Sequence, residues 1–199
     1  MGYRFFFLFV MCLSSCTYRW SPDLDQRTRP TISVPFVEGD GDGSLTQAIV
    51  YALVASGMAD VRQQGAHYRL CAAIVHSGSH TVGYRRDRQK ISGEIKKNLV
   101  SSEGRKTLSI IATVYEKDKI ICGPIRLDAD SDYDYLDGDS MQDLAFINPL
   151  GRQQTVLPFS LGQLEPKEAA EEAATKPLNT KIAGILVDAL FNIWYTQNL

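Results

Sequence analysis

The feature that most constrains the fold lies at the amino terminus, where a short apolar run follows a single basic residue. Arg4 precedes the apolar residues 5–13, and two small serines follow them. A basic start, a short apolar centre and small residues at the exit are typical of a secretory signal peptide. The run has about half of the ~18 apolar residues that a membrane-spanning helix needs. We therefore expect residues 1–15 to be removed, so that the fold is built from the remaining 184 residues (199 minus 15).

The cysteine at the exit makes this signal more specific. The order Leu13-Ser14-Ser15-Cys16 resembles the bacterial lipobox, in which the thiol is diacylglycerylated and the chain is cut before it. We predict lipidation at Cys16; the alternative is an ordinary signal peptide with a chance cysteine. Two or three acyl chains anchor a protein stably where one does not. Thr17 stands where an aspartate would favour inner-membrane retention, which predicts the periplasmic face of the outer membrane.

The composition predicts one packed domain. Hydrophobic residues make up 44% of the chain, which excludes wholesale disorder, and the net charge of −2 argues against nucleic acid as the main partner. We expect a polar tether at residues 16–30 and a single α+β periplasmic domain at residues 31–199. Cys71 and Cys122 are the cysteines beyond the lipobox. The periplasm permits a disulfide between them, but both lie in strand-like runs, where a small buried residue is the commoner role.

Apolar periodicity predicts four strands and two helices. Leu45, Ile49 and Leu53 repeat at helical spacing after a capping box of Ser44 and Gln47. The predicted order is a strand at 31–37, a helix at 45–56, a strand at 68–76 that continues toward 84, a strand pair at 107–115 and 120–127, and a closing helix along the apolar stripe 178–193. Helices on one face bury both stripes economically. We therefore predict a two-layer sandwich, with two helices on one face of a four-stranded mixed sheet (β-α-β-β-β-α).

Residues 128–176 are predicted as a loop-rich excursion that contains a short helix at 165–175. Six aspartates open the excursion: Asp128, Asp130, Asp132, Asp134, Asp137 and Asp139. They fit either a hard-cation site or, as we favour, a solvated sheet edge that resists aggregation. A second acidic stretch at 38–45 resembles the start of a calcium loop but has Ile49 where the bidentate glutamate is needed. Its acids instead favour the positive end of the first helix.

The sequence offers no other chemical site. The three histidines do not pair with cysteines at zinc spacing, and no glycine-rich phosphate loop or nucleophile elbow is present. An enzyme needs a nucleophile, a base and an orienting group within reach, and no segment supplies them together. We therefore expect no metal, no cofactor and no enzymatic activity.

A basic segment at residues 85–106 stands out in this slightly acidic chain. Eight cations face three acids there, a local balance of +5. Such asymmetry favours an anionic partner. The abundant anion of the outer membrane is lipopolysaccharide, whose phosphates and acidic sugars suit arginine. The candidate ligand-binding residues are Arg85, Arg86, Arg88, Lys96 and Lys97. The alternative is a solvated hairpin with scattered charges.

The order of these motifs resembles the lipopolysaccharide-assembly lipoproteins (LptE-like). The resemblance spans residues 16–195 and follows the lipobox cysteine with the segments ISVPFVEGD, LTQAIVYALVASG, YRLCAAIVHSGSHTVGYRRDR, LSIIATVYEKDK and IAGILVDALFNIW. The resemblance lies in the order of the strands and helices rather than in an invariant sequence motif. The long excursion departs from the compact form of the family. It implies helices on one side of a four-stranded sheet. It also implies a role as plug and partner of the outer-membrane β-barrel that exports lipopolysaccharide.

A different class of protein remains open at this point. Lipoproteins that regulate a cell-wall synthase or pilot a secretin also place a segment such as SVPF ahead of a helix. Copurification separates the two, because a β-barrel partner favours export and a synthase or secretin favours the alternative.

Overall fold

Three long antiparallel strands form the framework of the molecule. The computed structural model describes residues 29–87, 94–135, 145–147, 149–155 and 166–197. In chain order the elements are β1 (Thr31–Ser33), α1 (Ser44–Ser56), β2 (Asp60–Val61), β3 (Tyr68–Arg85), β4 (Val100–Glu116), β5 (Lys119–Asp134), β6 (Ala145–Ile147), β7 (Gln153–Thr155), α2 (Pro166–Ala173) and α3 (Thr175–Gln197).

The main sheet has the order β2-β1-β3-β4-β5. β1 runs parallel to both β2 and β3, whereas β3, β4 and β5 form an antiparallel meander. The sheet is therefore mixed, as predicted, but it has five strands rather than four. The extra strand is β2, whose two residues are too few to give a periodic signal. β6 and β7 form a separate two-stranded sheet.

The two longer helices pack side by side on one face of the sheet, which confirms the predicted layering. Leu45, Ile49 and Leu53 of α1 are buried at helical spacing. They meet a stripe of α3 and alternate residues of β3, β4 and β5 in one core, which includes Leu70, Ile110, Val114, Leu127, Leu178, Ile182, Leu186 and Leu190. Burial of these side chains is the main favourable term in folding.

The start of α1 differs from the predicted capping box. Gly43 occupies the cap position in a left-handed conformation and supplies no side-chain hydrogen bond. The Asp40 carboxylate accepts hydrogen bonds from the backbone N–H of Leu45 (3.4 Å) and of Thr46 (2.8 Å) instead. An acid of the stretch at 38–45 thus accepts hydrogen bonds from the free amides of the first helical turn. This agrees with the prediction that these acids favour the positive end of the helix. Gly57 ends the helix and donates its N–H to the carbonyl oxygen of Val54.

Cys71 and Cys122 are both free thiols. Cys71 pairs with Thr113 and Cys122 with Val114, and these two neighbours on β4 point to opposite faces of the sheet. The sheet itself therefore keeps the two cysteines apart, so the disulfide left open by the sequence does not form. Burial raises the pKa of the Cys122 thiol.

The long loops predicted from the polar segments are partly strand. β4 begins at Val100, inside the basic segment that separates two predicted strands, and β5 continues to Asp134, inside the predicted excursion. Cross-strand hydrogen bonds extend the ladder beyond the point where the apolar alternation stops. The predicted short helix is present as α2, at Pro166–Ala173.

Candidate functional site

The meander extends past the main core as an arm. We define the arm as residues 77–85 of β3, 100–107 of β4 and 130–134 of β5; the β3–β4 register shifts between Thr81 and Tyr84, and β5 pairs with β4 from Glu103 onward. Ser77, Gly78 and Ser79 occupy β3 where the apolar residues of the core have ended. Such small polar side chains add little to a core, so the strands leave the main packed layer here.

A small second cluster packs on the arm. Tyr133 and Tyr135 are buried with Ala174, and Ala170 of α2 packs against them. Gly104 lies beneath the Tyr133 ring, and a Cβ at this position would overlap that ring. The alternation of aspartate and tyrosine at the start of the predicted excursion is thus a strand pattern, with tyrosines facing the helix and acids facing away.

Charged side chains on the open face of the arm neutralise one another. Arg105 donates hydrogen bonds to both carboxylate oxygens of Asp132, at 2.6 and 2.8 Å. This fork lowers the pKa of Asp132 and raises the pKa of Arg105. Lys181 of α3 forms an ion pair with Asp130 at 3.1 Å. Arg105 is therefore a structural partner of the edge strand.

Lys106, the next residue after Arg105 on β4, faces the helices. Its ammonium donates hydrogen bonds to the Thr175 hydroxyl (2.7 Å) and to the Glu171 carbonyl oxygen (3.4 Å). The basic segment identified in the sequence is thus divided by the fold. Its carboxyl-terminal cations stabilise the arm, and the earlier ones lie at the far end of it.

We define the tip as residues 82–87 and 94–100, the far end of the arm. Arg85 pairs with Val100 across the two strands. Beyond this pair, the Asp87 carbonyl oxygen accepts a hydrogen bond from the Lys96 amide (2.7 Å), and the Asp87 carboxylate accepts one from the Asn98 side chain (3.1 Å). The buried Asp87 therefore joins the two limbs of the tip.

The tip brings four of the five predicted ligand residues together. Arg85 and Arg86 stand on one limb, with Arg85 half-buried and Arg86 exposed; Lys96 and Lys97 stand on the other, with Lys96 half-buried and Lys97 exposed. Within the described ranges, the side chains of Arg86, Lys96 and Lys97 enter no ion pair. The predicted Arg88 and the lipidation residue Cys16 lie outside the described residues.

The acidic clusters serve the fold. Asp128, Asp130, Asp132 and Asp134 all lie on β5, an outer strand of the main sheet, which fits the interpretation as a charged sheet edge. Asp128 accepts a hydrogen bond from the Ser109 hydroxyl, and this bond lowers the Asp128 pKa. Among the described residues, no three histidine, cysteine or acidic side chains are grouped closely enough to hold a metal ion.

Sequence reasoning missed the apolar side chains of the tip. Tyr84, Ile95 and Leu99 are 61%, 58% and 69% exposed, and Val82 is also exposed. The signal was present, because apolar and basic residues alternate closely in the stretch Ile-Lys-Lys-Asn-Leu that ends at Leu99. The tip is therefore amphipathic as well as cationic.

Together the fold and this site describe an α+β protein with helices on one sheet face and a strand arm that ends in an amphipathic, cationic tip. No described helix is both long and apolar enough to cross a bilayer. No family model matches the chain, and no curated protein matches it.

The solved structures to which the chain is similar include three bacterial lipoproteins. Rare lipoprotein B from Shewanella oneidensis shares 12% identity over 85% of this chain and 99% of its own, with a TM-score of 0.45. The minor lipoprotein from Acinetobacter baumannii shares 12% identity over 78% and 86%, with a TM-score of 0.41. Uncharacterized lipoprotein B from Nitrosomonas europaea shares 12% identity over 79% of each chain, with a TM-score of 0.41. Similarity at this level carries no functional argument.

Proposed function

We propose that the chain is a lipid-anchored protein of the outer membrane that binds lipopolysaccharide through the tip and assists its transport to the cell surface. In this proposal Cys16 carries the acyl chains, and the domain is the periplasmic partner of a β-barrel that exports lipopolysaccharide. The role is one of binding rather than catalysis. The partner is proposed from the family resemblance of the sequence, whereas the ligand site is proposed from the geometry of the tip.

One observation carries the ligand site: the fold places two separated basic stretches at one end of one arm. Arg85 and Arg86 precede the connection, Lys96 and Lys97 follow it, and the Asp87 contacts hold the two limbs together. Arginine and lysine side chains are suited to phosphate groups, with arginine offering a bidentate fork.

The neighbouring cations support the assignment by contrast. Arg105 and Lys106 lie on β4, nearer the core than the tip. Arg105 donates to Asp132, and Lys106 donates to Thr175 and to the Glu171 carbonyl oxygen. The exposed Arg86 and Lys97 instead stand at the far end of the arm, where no other described element covers them. A basic surface used only for solubility would not need its charges gathered at one point.

The test is charge reversal at two exposed tip positions. Arg86→Glu with Lys97→Glu should weaken binding of purified lipopolysaccharide by the mature domain at least about tenfold at low salt, because two attractions become repulsions. The difference should shrink as salt is added, since exposed charges are screened beyond about 8–10 Å at physiological ionic strength. Surface plasmon resonance over a salt series measures both effects.

A matched control changes net charge by the same amount elsewhere. Lys119 and Lys176 are exposed cations outside the tip, and Lys119 lies at the opposite end of the sheet. Lys119→Glu with Lys176→Glu should leave lipopolysaccharide binding within about twofold of the parent. If both double variants weaken binding equally, net charge alone explains the effect and the tip is not the site.

The cellular role needs a separate measurement. Depletion of the protein should lower surface lipopolysaccharide, and a β-barrel should copurify with it. Copurification of a cell-wall synthase or a secretin, with surface lipopolysaccharide unchanged, would instead favour the alternative role in cell-wall synthesis or as a secretin pilot.

A further inference from the structure

The short helix α2 covers the tyrosines of the arm through small side chains. Tyr133 and Tyr135 pack against Ala170 of α2 and against Ala174, which directly follows α2. Alanine methyl groups bury little apolar area, and burial of apolar area is the main term that fixes one element on another. The two longer helices are held instead by a stripe of leucine and isoleucine side chains. The apolar packing that holds α2 on the arm is therefore slight.

The polar contacts between α2 and the tyrosines are also weak. The Tyr133 hydroxyl donates a hydrogen bond to the Glu171 carboxylate at 3.5 Å, which is longer than the usual range for such a bond. The Lys167 ammonium lies 5.5 Å from the centre of the Tyr135 ring. A cation–ring contact at an exposed site contributes only modestly.

The helix has little stability of its own. It contains eight residues, whereas isolated helices shorter than about 12–15 residues are marginal in water. Residues 167–169, 172 and 173 are exposed, so one side of α2 faces the arm and the rest faces outward. Segments with little buried apolar surface open at a lower free energy than the core of the same domain.

Pro177 separates α2 from α3. In a continuous helix the amide of residue 177 donates to the Ala173 carbonyl oxygen, but proline has no N–H. The flanking bonds are present, because the Ala174 amide donates to the Ala170 carbonyl (3.0 Å) and the Leu178 amide to the Ala174 carbonyl (3.2 Å). The missing bond lies where α2 ends, and ends of elements are common positions for hinges.

Lys106 connects the arm to both sides of this junction. Its ammonium donates to the Thr175 hydroxyl of α3 at 2.7 Å and to the Glu171 carbonyl oxygen of α2 at 3.4 Å. Glu171 lies in the last turn of α2, where helix polarity favours a cation. The bond to α2 is the longer of the two, so α2 can leave while Lys106 keeps its contact with α3.

We propose that α2 is a strap over the arm, which opens at the junction of Ala173 and Ala174 while the core stays folded. In the closed form α2 covers Tyr133 and Tyr135, as the structure shows. In the open form both rings are uncovered on the helix-facing side of the arm. The core needs no change, because α1 and α3 keep their own packing on the sheet. The inference does not depend on the ligand of the tip, so it stands apart from the proposed function.

Native-state hydrogen exchange measures the opening. In the parent domain the amides of residues 170–174 should have protection factors at least about a hundredfold lower than those of Ile110 and Val114 in the core. Pro177→Ala supplies the missing donor, so it should raise the protection of residues 170–174 relative to the core at least about tenfold. Lys106→Met removes the bond to the Glu171 carbonyl and should lower that protection at least about threefold.

Nitration by tetranitromethane shows whether the opening uncovers the arm. The rate of modification at Tyr133 and Tyr135 should fall at least about fivefold in Pro177→Ala, because the strap is closed for more of the time. Tyr51 of α1 is 75% exposed and should react at the same rate in both proteins. Mass spectrometry of peptides assigns the modified tyrosines.

Pro35→Ala is the matched control for the loss of a proline. Pro35 is exposed and lies between β1 and α1, away from α2 in the chain. This variant should leave the protection of residues 170–174, relative to the core, within about twofold of the parent.

Three results would overturn the strap. If residues 170–174 of the parent exchange as slowly as Ile110 and Val114, α2 opens only with the whole domain. If Pro177→Ala protects α2 no more than Pro35→Ala does, the junction is not a hinge. If Pro177→Ala raises the protection but leaves nitration of Tyr133 unchanged, α2 frays without uncovering the arm.

Discussion

The same three strands are core at one end and an exposed arm at the other. In the half that the longer helices cover, Leu70, Ile110 and Val114 are all 1% exposed or less. Along the arm, serine, glycine and charged residues replace them, and the small tyrosine cluster is the packing that the described residues provide. The strands pair in both regions, so the main difference lies in the side chains. Backbone pairing holds the strands together in both halves, whereas burial of apolar side chains makes the covered half the one that stabilises the domain.

The largest expected effect compares one substitution in the two regions. Leu186→Ala removes a side chain with 0% exposure, and we expect it to lower the free energy of unfolding by about 2–5 kcal/mol. Leu99→Ala removes the same atoms from a side chain that is 69% exposed, and we expect a change within about 0.5 kcal/mol. Urea unfolding of both variants checks the contrast. Comparable losses would show that the tip is part of the folding core.

A smaller effect is expected within the arm, where two glycines on paired strands differ in their surroundings. Gly104→Ala places a Cβ against the Tyr133 ring, so the ring must move, and we expect a loss of about 1–3 kcal/mol. Gly78→Ala meets only the His76 ring, at 3.5 Å, and is expected to be close to neutral. Thermal unfolding measures both. Equal stabilities would mean that the tyrosine cluster does not order the arm.

The smallest expected effect concerns the charges on the open face of the arm. Because Arg105 lowers the pKa of Asp132 in the folded state, this ion pair stabilises the fold above the ordinary aspartate pKa. That contribution is lost as the pH falls through the lowered value. We expect a carboxyl titration by NMR to give a midpoint below 3.8 for Asp132, and Arg105→Gln to raise it.

Asp128 is the internal control for that titration. Its pKa is lowered chiefly by the Ser109 hydroxyl and, to a smaller extent, by Arg126 and His76. None of these residues changes in the Arg105 variant. Its midpoint should therefore stay where it is. Equal upward shifts at Asp128 and Asp132 would indicate a general rearrangement of the edge strand rather than loss of one ion pair.

The covered half could be predicted from the sequence because its apolar spacing is strong. Leu45, Ile49 and Leu53 identify α1, and the alternation in β3 and β4 identifies the central strands. The predicted strand already continues toward residue 84, but residues 100–106 and 128–134 are not predicted as strand, because their serines, glycines and charges carry no apolar alternation. Their pairing depends on neighbouring strands that a single segment does not reveal. The acids before α1 were predicted to favour its positive end, but the particular acceptor, Asp40, could not be named because it lies outside the usual capping spacing.

The candidate site was predicted in composition but not in arrangement. The excess of cations in residues 85–106 indicates the tip. That excess also includes Arg105 and Lys106, which form hydrogen bonds within the domain. Only the register of β3 on β4 separates these cations from the ones at the tip. The exposed apolar residues were visible in the sequence as well, but exposure is a property of the fold.

The central claim is that the tip, and not the covered end of the sheet, touches lipopolysaccharide, and crosslinking in living cells tests it most directly. A photoreactive benzoylphenylalanine replaces either the exposed Lys97 at the tip or the exposed Lys119 at the opposite end. After irradiation, each purified protein is probed for attached lipopolysaccharide. We predict adducts from position 97 and none from position 119. Adducts from position 119, with none from position 97, would contradict the account.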